Sequence, residues 1–384
     1  MLSPIRLGLV ATNAGFRVRS ILTKIMSCSL VTVSILSAVQ ATAAPPGKRS
    51  VAPSAAARAA AARLVNSPTD NFIASTEYAN SWQSKRMPLK VYLHNCSNVP
   101  GYEPRFADFF REACSSWAEA TNNKIRFIFV DSPDDCDMEV RWTADKSTWP
   151  GDRDPKELGI CRASIDNDGM DHSSVYILTY AENLHIGPRT MKAACLHELG
   201  HAFGLGHSGR SSDIMAPVIN NIRTSIDGVA SMESATERDL SNRDITTMEI
   251  VYSAKQNLDK FFSRNLNKPD LCVALTNEAA RLIRAGDSGQ AIIFLNEVLK
   301  LDPNFSVASQ NLMISYFNAG VELYNKEHYS EALPVLEKSM RIARKYGNAR
   351  ELEAMAAVRN NCLQASGQGA NYSQSGPSYA FRQK

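Results

Sequence analysis

The run HELGHAFGLGH, His197 to His207, restricts this chain more than any other feature. His197 and His201 are four residues apart, so on a helix both rings leave the same face within reach of one ion. Glu198 is turned by about 100° from His197 and stands beside such an ion rather than binding it. Gly204 favours the positive φ that ends a helix and turns the chain, so His207, three residues on, can swing back beneath the same point. Zinc in catalytic sites takes three protein ligands and leaves a fourth position for water. A chance HExxH in a chain of this length arises on the order of one time in a hundred from average composition, and adding Gly204 and His207 lowers that to roughly one in a hundred thousand. A surface helix with coincidental histidines is therefore a poor account. The run reads as a metal site of His197, His201 and His207.

The segments before it alternate between the two periods. MPLKVYL (87–93), KIRFIFV (124–130), MEVRWT (138–143), LGICRAS (158–164) and SSVYILT (173–179) read as strands. Phe106, Phe109, Phe110, Ala113, Cys114 and Trp117 fall at helical spacing and predict an amphipathic helix over 103–121. The order strand, helix, four strands and then the histidine helix predicts an α+β layer with a five-stranded sheet. LGICRAS is the candidate edge strand, able to pair with an extended substrate.

After about Ala254 the pattern becomes entirely helical. AARLIRAGDSGQAIIFLNEVLKLDP (279–303) and AGVELYNKEHYSEALPVLEKSMRIA (319–343) share a register, with Ala291 and Ala332 in matching positions. Small residues at helix contacts and a Pro after the second helix resemble tetratricopeptide repeats, although the spacing of about forty residues exceeds the usual 34. NARELEAMAAVRNNCLQA (348–365) is expected to cap the array.

The chain has 384 residues, enough for two domains with tails. A net charge of +3 gives no reason to expect nucleic acid as a partner. Ile25 to Ala44 is uncharged and apolar, follows Arg17, Arg19 and Lys24, and ends in the small-residue site Ala41-Thr42-Ala43. That layout predicts a secretory signal over 1–43, with an organelle transit peptide as the alternative. Export to the periplasm or outside the cell, with no stable membrane insertion after signal removal, follows as an expectation. Residues 44–83 are rich in Ala, Pro, Ser and Arg and read as a linker with a short helix over 55–65. The polar tail 366–384 reads as disordered. Beyond the signal lie seven cysteines, an odd number, so in an oxidising compartment at least one stays free or pairs between molecules.

HELGHAFGLGH, followed by Ser208 and then SSDIMAP, resembles the extended zinc-binding pattern of the metzincin peptidases and, within them, the matrixins. The resemblance covers about residues 84–255 and is most specific over 197–217. It implies a zincin-like catalytic domain over 84–255, ahead of a helical repeat domain over 270–365. It also implies Met215 as the Met-turn residue beneath the imidazoles and Pro217 in the wall of the pocket that receives the side chain after the scissile bond. Ser241 and Asp244, a capping-box-like pair opening LSNRDITTMEIVYSA, resemble the start of the last matrixin helix. No PRCGxPD-like sequence lies between 44 and 83, so latency through a cysteine switch has no support. Asp166, Asp168 and Asp171 offer oxygens for Ca2+, but no bidentate Glu completes a calcium pattern, and a solvated loop is the expected reading.

The implied activity is zinc-dependent endopeptidase hydrolysis of a protein or peptide, with Glu198 as general base. The helical repeats would recruit a protein partner or substrate. The alternative is a non-catalytic interaction scaffold carrying a relic peptidase domain; an intact Glu198 speaks against it. A further reading makes the repeats an inhibitory cap over the cleft.

Overall fold

The computed structural model describes residues 70–74, 81–149, 157–166, 169–218, 221–347 and 349–366. The predicted signal, the helix over 55–65 and the tail beyond Ser366 lie outside the described residues.

Strands β1 (Leu89–Leu93), β2 (Phe127–Phe129), β3 (Met138–Thr143), β4 (Gly159–Asp166) and β5 (Gly169–Leu178) form one sheet in the order β2-β1-β3-β5-β4. The first four in that order run parallel, and β4 returns antiparallel to β5 as the edge. Alternation decides the faces: Leu89 and Val91 of β1 and Met138, Val140 and Trp142 of β3 are buried, while their neighbours are more open. The second predicted strand shortens from 124–130 to three residues. It lies at the sheet edge, where the Ile125 amide is held by Thr121 Oγ1 and Ile125 turns into the core.

Helix α1 (Arg105–Ala120) lays Phe106, Phe110, Ala113, Cys114 and Trp117 into the interior, the stripe expected from the spacing. It packs on α2 (Pro188–Ala202), the histidine helix, and Trp117 Nε1 donates to the Leu196 carbonyl at 3.1 Å. Buried aromatic anchors of this size contribute about 3–5 kcal/mol each against truncation to alanine.

A second sheet was not anticipated. Strands β6 (Tyr180–Ala181), β7 (Leu184–Ile186), β8 (Asn221–Ile226) and β9 (Val229–Ser234) assemble in the order β6-β7-β9-β8. The β8–β9 hairpin turns at Asp227 and Gly228, both at positive φ, the geometry an Asp-Gly pair favours. Parallel pairing of β7 with β9 ties this hairpin to the start of α2.

Helix α3 (Asn242–Phe262) opens with the expected capping box: Ser241 Oγ accepts from the Asp244 amide, and the Asp244 carboxylate accepts from the Ser241 amide. The all-helical region follows as α4 (Lys268–Ala285), α5 (Ser288–Leu301), α6 (Ser306–Asn325), α7 (Tyr329–Tyr346) and α8 (Ala349–Ala365). Ala291 and Ala332, the matched small residues, are fully buried. The fold is thus a mixed five-stranded sheet with long helices, then an all-α region, and one hydrophobic core runs through both.

The end of the predicted linker is packed rather than free. Phe72, Ile73 and Ala74 are buried, the Phe72 amide donates to Thr247 Oγ1 of α3, and Lys338 Nζ of α7 donates to the Ala74 carbonyl. Two adjacent large apolar residues in a polar stretch suffice to hold the segment against the core. All seven cysteines from Cys96 to Cys362 carry free thiols, and five are buried. No helix among the described residues is long and apolar enough to cross a membrane.

Candidate active site

Helix α2 begins at the Gly187-Pro188 step, where proline's fixed φ suits the first helical position. It runs under the sheet edge and presents His197 and His201 on one face. The helix stops at Ala202. Gly204 takes φ +95°, and the amides of Gly204 and Leu205 close on the carbonyls of His201 and Gly200 at 2.9 Å each. This glycine turn brings His207 back toward the helix.

The three imidazoles meet through their Nε2 atoms. His201 Nε2 lies 3.0 Å from His197 Nε2 and 3.2 Å from His207 Nε2. The opposite nitrogens of two rings are committed: His197 Nδ1 donates to the Ile214 carbonyl at 2.7 Å and His201 Nδ1 to the Leu205 carbonyl at 2.8 Å. Burial pushes all three imidazoles below their ordinary range, His197 far below and His201 down to about 4, so they are neutral. Neutral rings with Nδ1 protonated turn bare Nε2 lone pairs toward one another, an arrangement that a divalent cation between them relieves. The donor set therefore fits zinc, and this trio is the group of described residues whose ligand atoms all lie within 4.8 Å of one another.

Met215 is fully buried beneath this face. A β-carbon on Gly200 would stand 2.2 Å from the Met215 sulfur, so glycine at 200 lets that sulfur press on the helix between the two histidine turns. Its loop is held from behind by Asp244 of α3, whose carboxylate accepts from the Ile214 amide at 2.8 Å and the Met215 amide at 3.3 Å.

Glu198 is only 4 % exposed, and its Oε2 has no hydrogen-bond partner among the described residues. Burial, with Glu157 nearby, raises its carboxyl well above the ordinary carboxylate range. Its neighbour on β4 is Gly159, and β4, the expected edge strand, has no strand on its outer side among the described residues.

These groups open into a cleft of about 1250 Å³. Strand β4 lines one side; Ala216, Pro217, Val218 and β8 line the other. The site residues expected from the sequence, including Pro217, all border or underlie this cleft. The β8–β9 hairpin, which supplies Ile222, Arg223 and Met232 to the wall, was missed; the Asp227-Gly228 pair was its signal. No described residue of α4–α8 lines the cleft. Asp171 is ion-paired with Arg86, which also pairs with Asp137, and the side chains of Asp166 and Asp168 lie outside the described residues.

A helix giving two histidines, a glycine turn giving the third and a buried carboxylate between them define a zincin-type metal site. Residues 81–252 match the matrixin family model. No curated protein matches the chain.

Proposed function

We propose that the chain is a zinc-dependent endopeptidase. The observation that carries this reading is the convergence of His197, His201 and His207 Nε2 beside the buried Glu198 carboxylate, within a cleft bordered by a free strand edge. His197, His201 and His207 would hold zinc, which when bound would supply Lewis acidity toward a water and the scissile carbonyl. Glu198 would take the proton from the attacking water and pass it to the leaving amine. Its Oε2 has no hydrogen-bond partner among the described residues, which leaves it available for that exchange. The Ile214 and Leu205 carbonyls fix the tautomers of His197 and His201 and aim their rings. Met215 supports the rings from below, and Pro217 borders the pocket for the side chain after the cut bond. An extended peptide adds to the edge of β4 through backbone hydrogen bonds.

Export rests on the apolar, uncharged stretch preceded by basic residues at the start of the chain. Recruitment of a protein partner by tetratricopeptide-like helices rests on the repeated register around Ala291 and Ala332.

The test uses the full chain with a quenched peptide library. Glu198→Ala should retain one zinc per chain and lose cleavage, while His201→Ala should lose the zinc. A Glu198→Ala protein that cleaves as fast as the wild type refutes the assigned mechanism, and a zinc-loaded wild type that cleaves nothing in the library supports the scaffold reading instead.

A further inference from the structure

We infer that Glu331, on helix α7 of the helical region, is a positioning residue for the metal site: it completes a buried charge network that holds the loop carrying His207 and Met215. The inference rests on the reading of His197, His201 and His207 as zinc ligands.

The network begins at the loop. The Ser208 amide donates to the Met215 carbonyl at 2.8 Å, closing the segment between the third histidine and Met215. Ser208 Oγ donates to Asp213 Oδ2, and Arg243 Nη1 of α3 reaches both Ser208 Oγ at 3.0 Å and Asp213 Oδ2 at 2.6 Å. On its other side the Arg243 guanidinium donates from Nη2 to Glu331 Oε2. Arg210, three residues past His207, donates from Nε to Glu331 Oε1 at 3.0 Å. Asp70 of the upstream segment joins both cations, 3.2 Å from Arg243 Nε and 3.1 Å from Arg210 Nη2. Two guanidiniums thus meet three carboxylates, and Glu331 is the carboxylate that bridges both cations on its two oxygens.

Three observations separate this from an ordinary surface contact. The side chains of Glu331 and Arg243 are each 3 % exposed and that of Asp213 is 2 % exposed, so solvent does not screen the pairs. Next, Gly209 is shaped around Glu331: a β-carbon there would stand 2.6 Å from Glu331 Cγ. The residue two past the third histidine thus lets a side chain from the distant helix lie on its backbone. Last, the network reaches two ligands by short covalent and hydrogen-bonded paths. Ser208 follows His207 directly, and Asp213 precedes Ile214, whose carbonyl receives His197 Nδ1–H.

Without Glu331, Asp213 and Asp70 remain as counter-charges, but Arg210 Nε and Arg243 Nη2 lose their acceptor, and a buried donor left unsatisfied is unfavourable. Arg243 would then be drawn from Asp213 and Ser208, and the loop would loosen at the ends that set His207 and His197. Outer partners of metal ligands commonly change metal affinity by about 10–100-fold when removed. The helical region, on this view, is part of the scaffold of the peptidase site.

The experiment compares four full-length proteins: wild type, Glu331→Ala, Glu331→Gln and Leu282→Ala, the last removing a buried side chain of α4 as a control for general destabilisation. Zinc loading is measured first, then zinc release to a chelator, then amide hydrogen exchange across 208–216 in the metal-free proteins. Glu331→Ala should release zinc about tenfold faster or more and exchange faster across 208–216. Glu331→Gln, which keeps the shape and one acceptor, should fall between it and the wild type. Leu282→Ala should match the wild type in both. If the Glu331 variants leave exchange and release unchanged, or Leu282→Ala accelerates them equally, the inference is overturned while the triad reading stands. A wild type that holds no zinc overturns the triad reading and this inference together.

Discussion

Gly159 of β4 lies so close to Glu198 of α2 that a β-carbon on it would stand 2.6 Å from both Cγ and Oε1 of the glutamate. The edge strand and the histidine helix touch through this glycine, and any larger residue must push the carboxylate aside. Gly159→Ala should therefore lower kcat/KM by about 10–100-fold, because a misplacement near 1 Å costs that much. Zinc content should not change. Peptide cleavage within twofold of wild type would show that Glu198 is not positioned by this contact.

Gly200 makes the matching contact on the other side of the helix, against the Met215 sulfur. Gly200→Ala should overpack that contact and destabilise the fold by about 1–3 kcal/mol, measured by urea unfolding. Met215→Leu, nearly equal in volume, should cost less than about 1.5 kcal/mol. If Gly200→Ala is neutral, the sulfur does not press on the helix as described.

Asp244 does two jobs at once, capping α3 and accepting from the Ile214 and Met215 amides. Ser241→Ala removes only the cap and should cost about 1 kcal/mol. Asp244→Ala leaves buried amides unpaired as well and should cost about 2–4 kcal/mol. Equal losses in the two variants would mean that the loop does not depend on this carboxylate.

Glu139, on β3, concerns acid stability rather than catalysis. Burial pushes its carboxyl up, but hydrogen bonds from Arg141, His94 and Ser174 outweigh this and hold it at about 2, against an ordinary value of 4.5. A depressed folded-state value stabilises the fold above the ordinary value and loses that contribution as the pH falls from about 4.5 through about 2. Glu139→Gln should accordingly be less stable than wild type at neutral pH, with the difference closing toward pH 2. A stability gap that is constant across that window, followed by circular dichroism, would contradict the assignment.

The metal site could be read in the sequence because its determinants are local. Helical periodicity puts His197 and His201 on one face, glycine's conformational freedom at 204 turns the chain, and His207 follows three residues later. The strand LGICRAS and the capping pair Ser241 and Asp244 were legible for the same reason, since alternation and capping act within a few residues. The β8–β9 hairpin carried only a two-residue signal and a weak pattern, with β8 largely exposed, so its place in the cleft wall depended on pairing with β7.

Other features have no local signature at all. Nothing near Glu331 in the chain marks it as a partner of Arg210 and Arg243, which lie 121 and 88 residues away. Nothing near Gly159 announces Glu198. The sequence by itself determined which atoms can bind the metal and where the helix must end. Only the tertiary structure decided which distant carboxylate joins Arg210 and Arg243 beside the metal loop, and which glycine packs against Glu198. Burial makes such contacts strong, and burial is a property of the packed chain, not of any stretch of it.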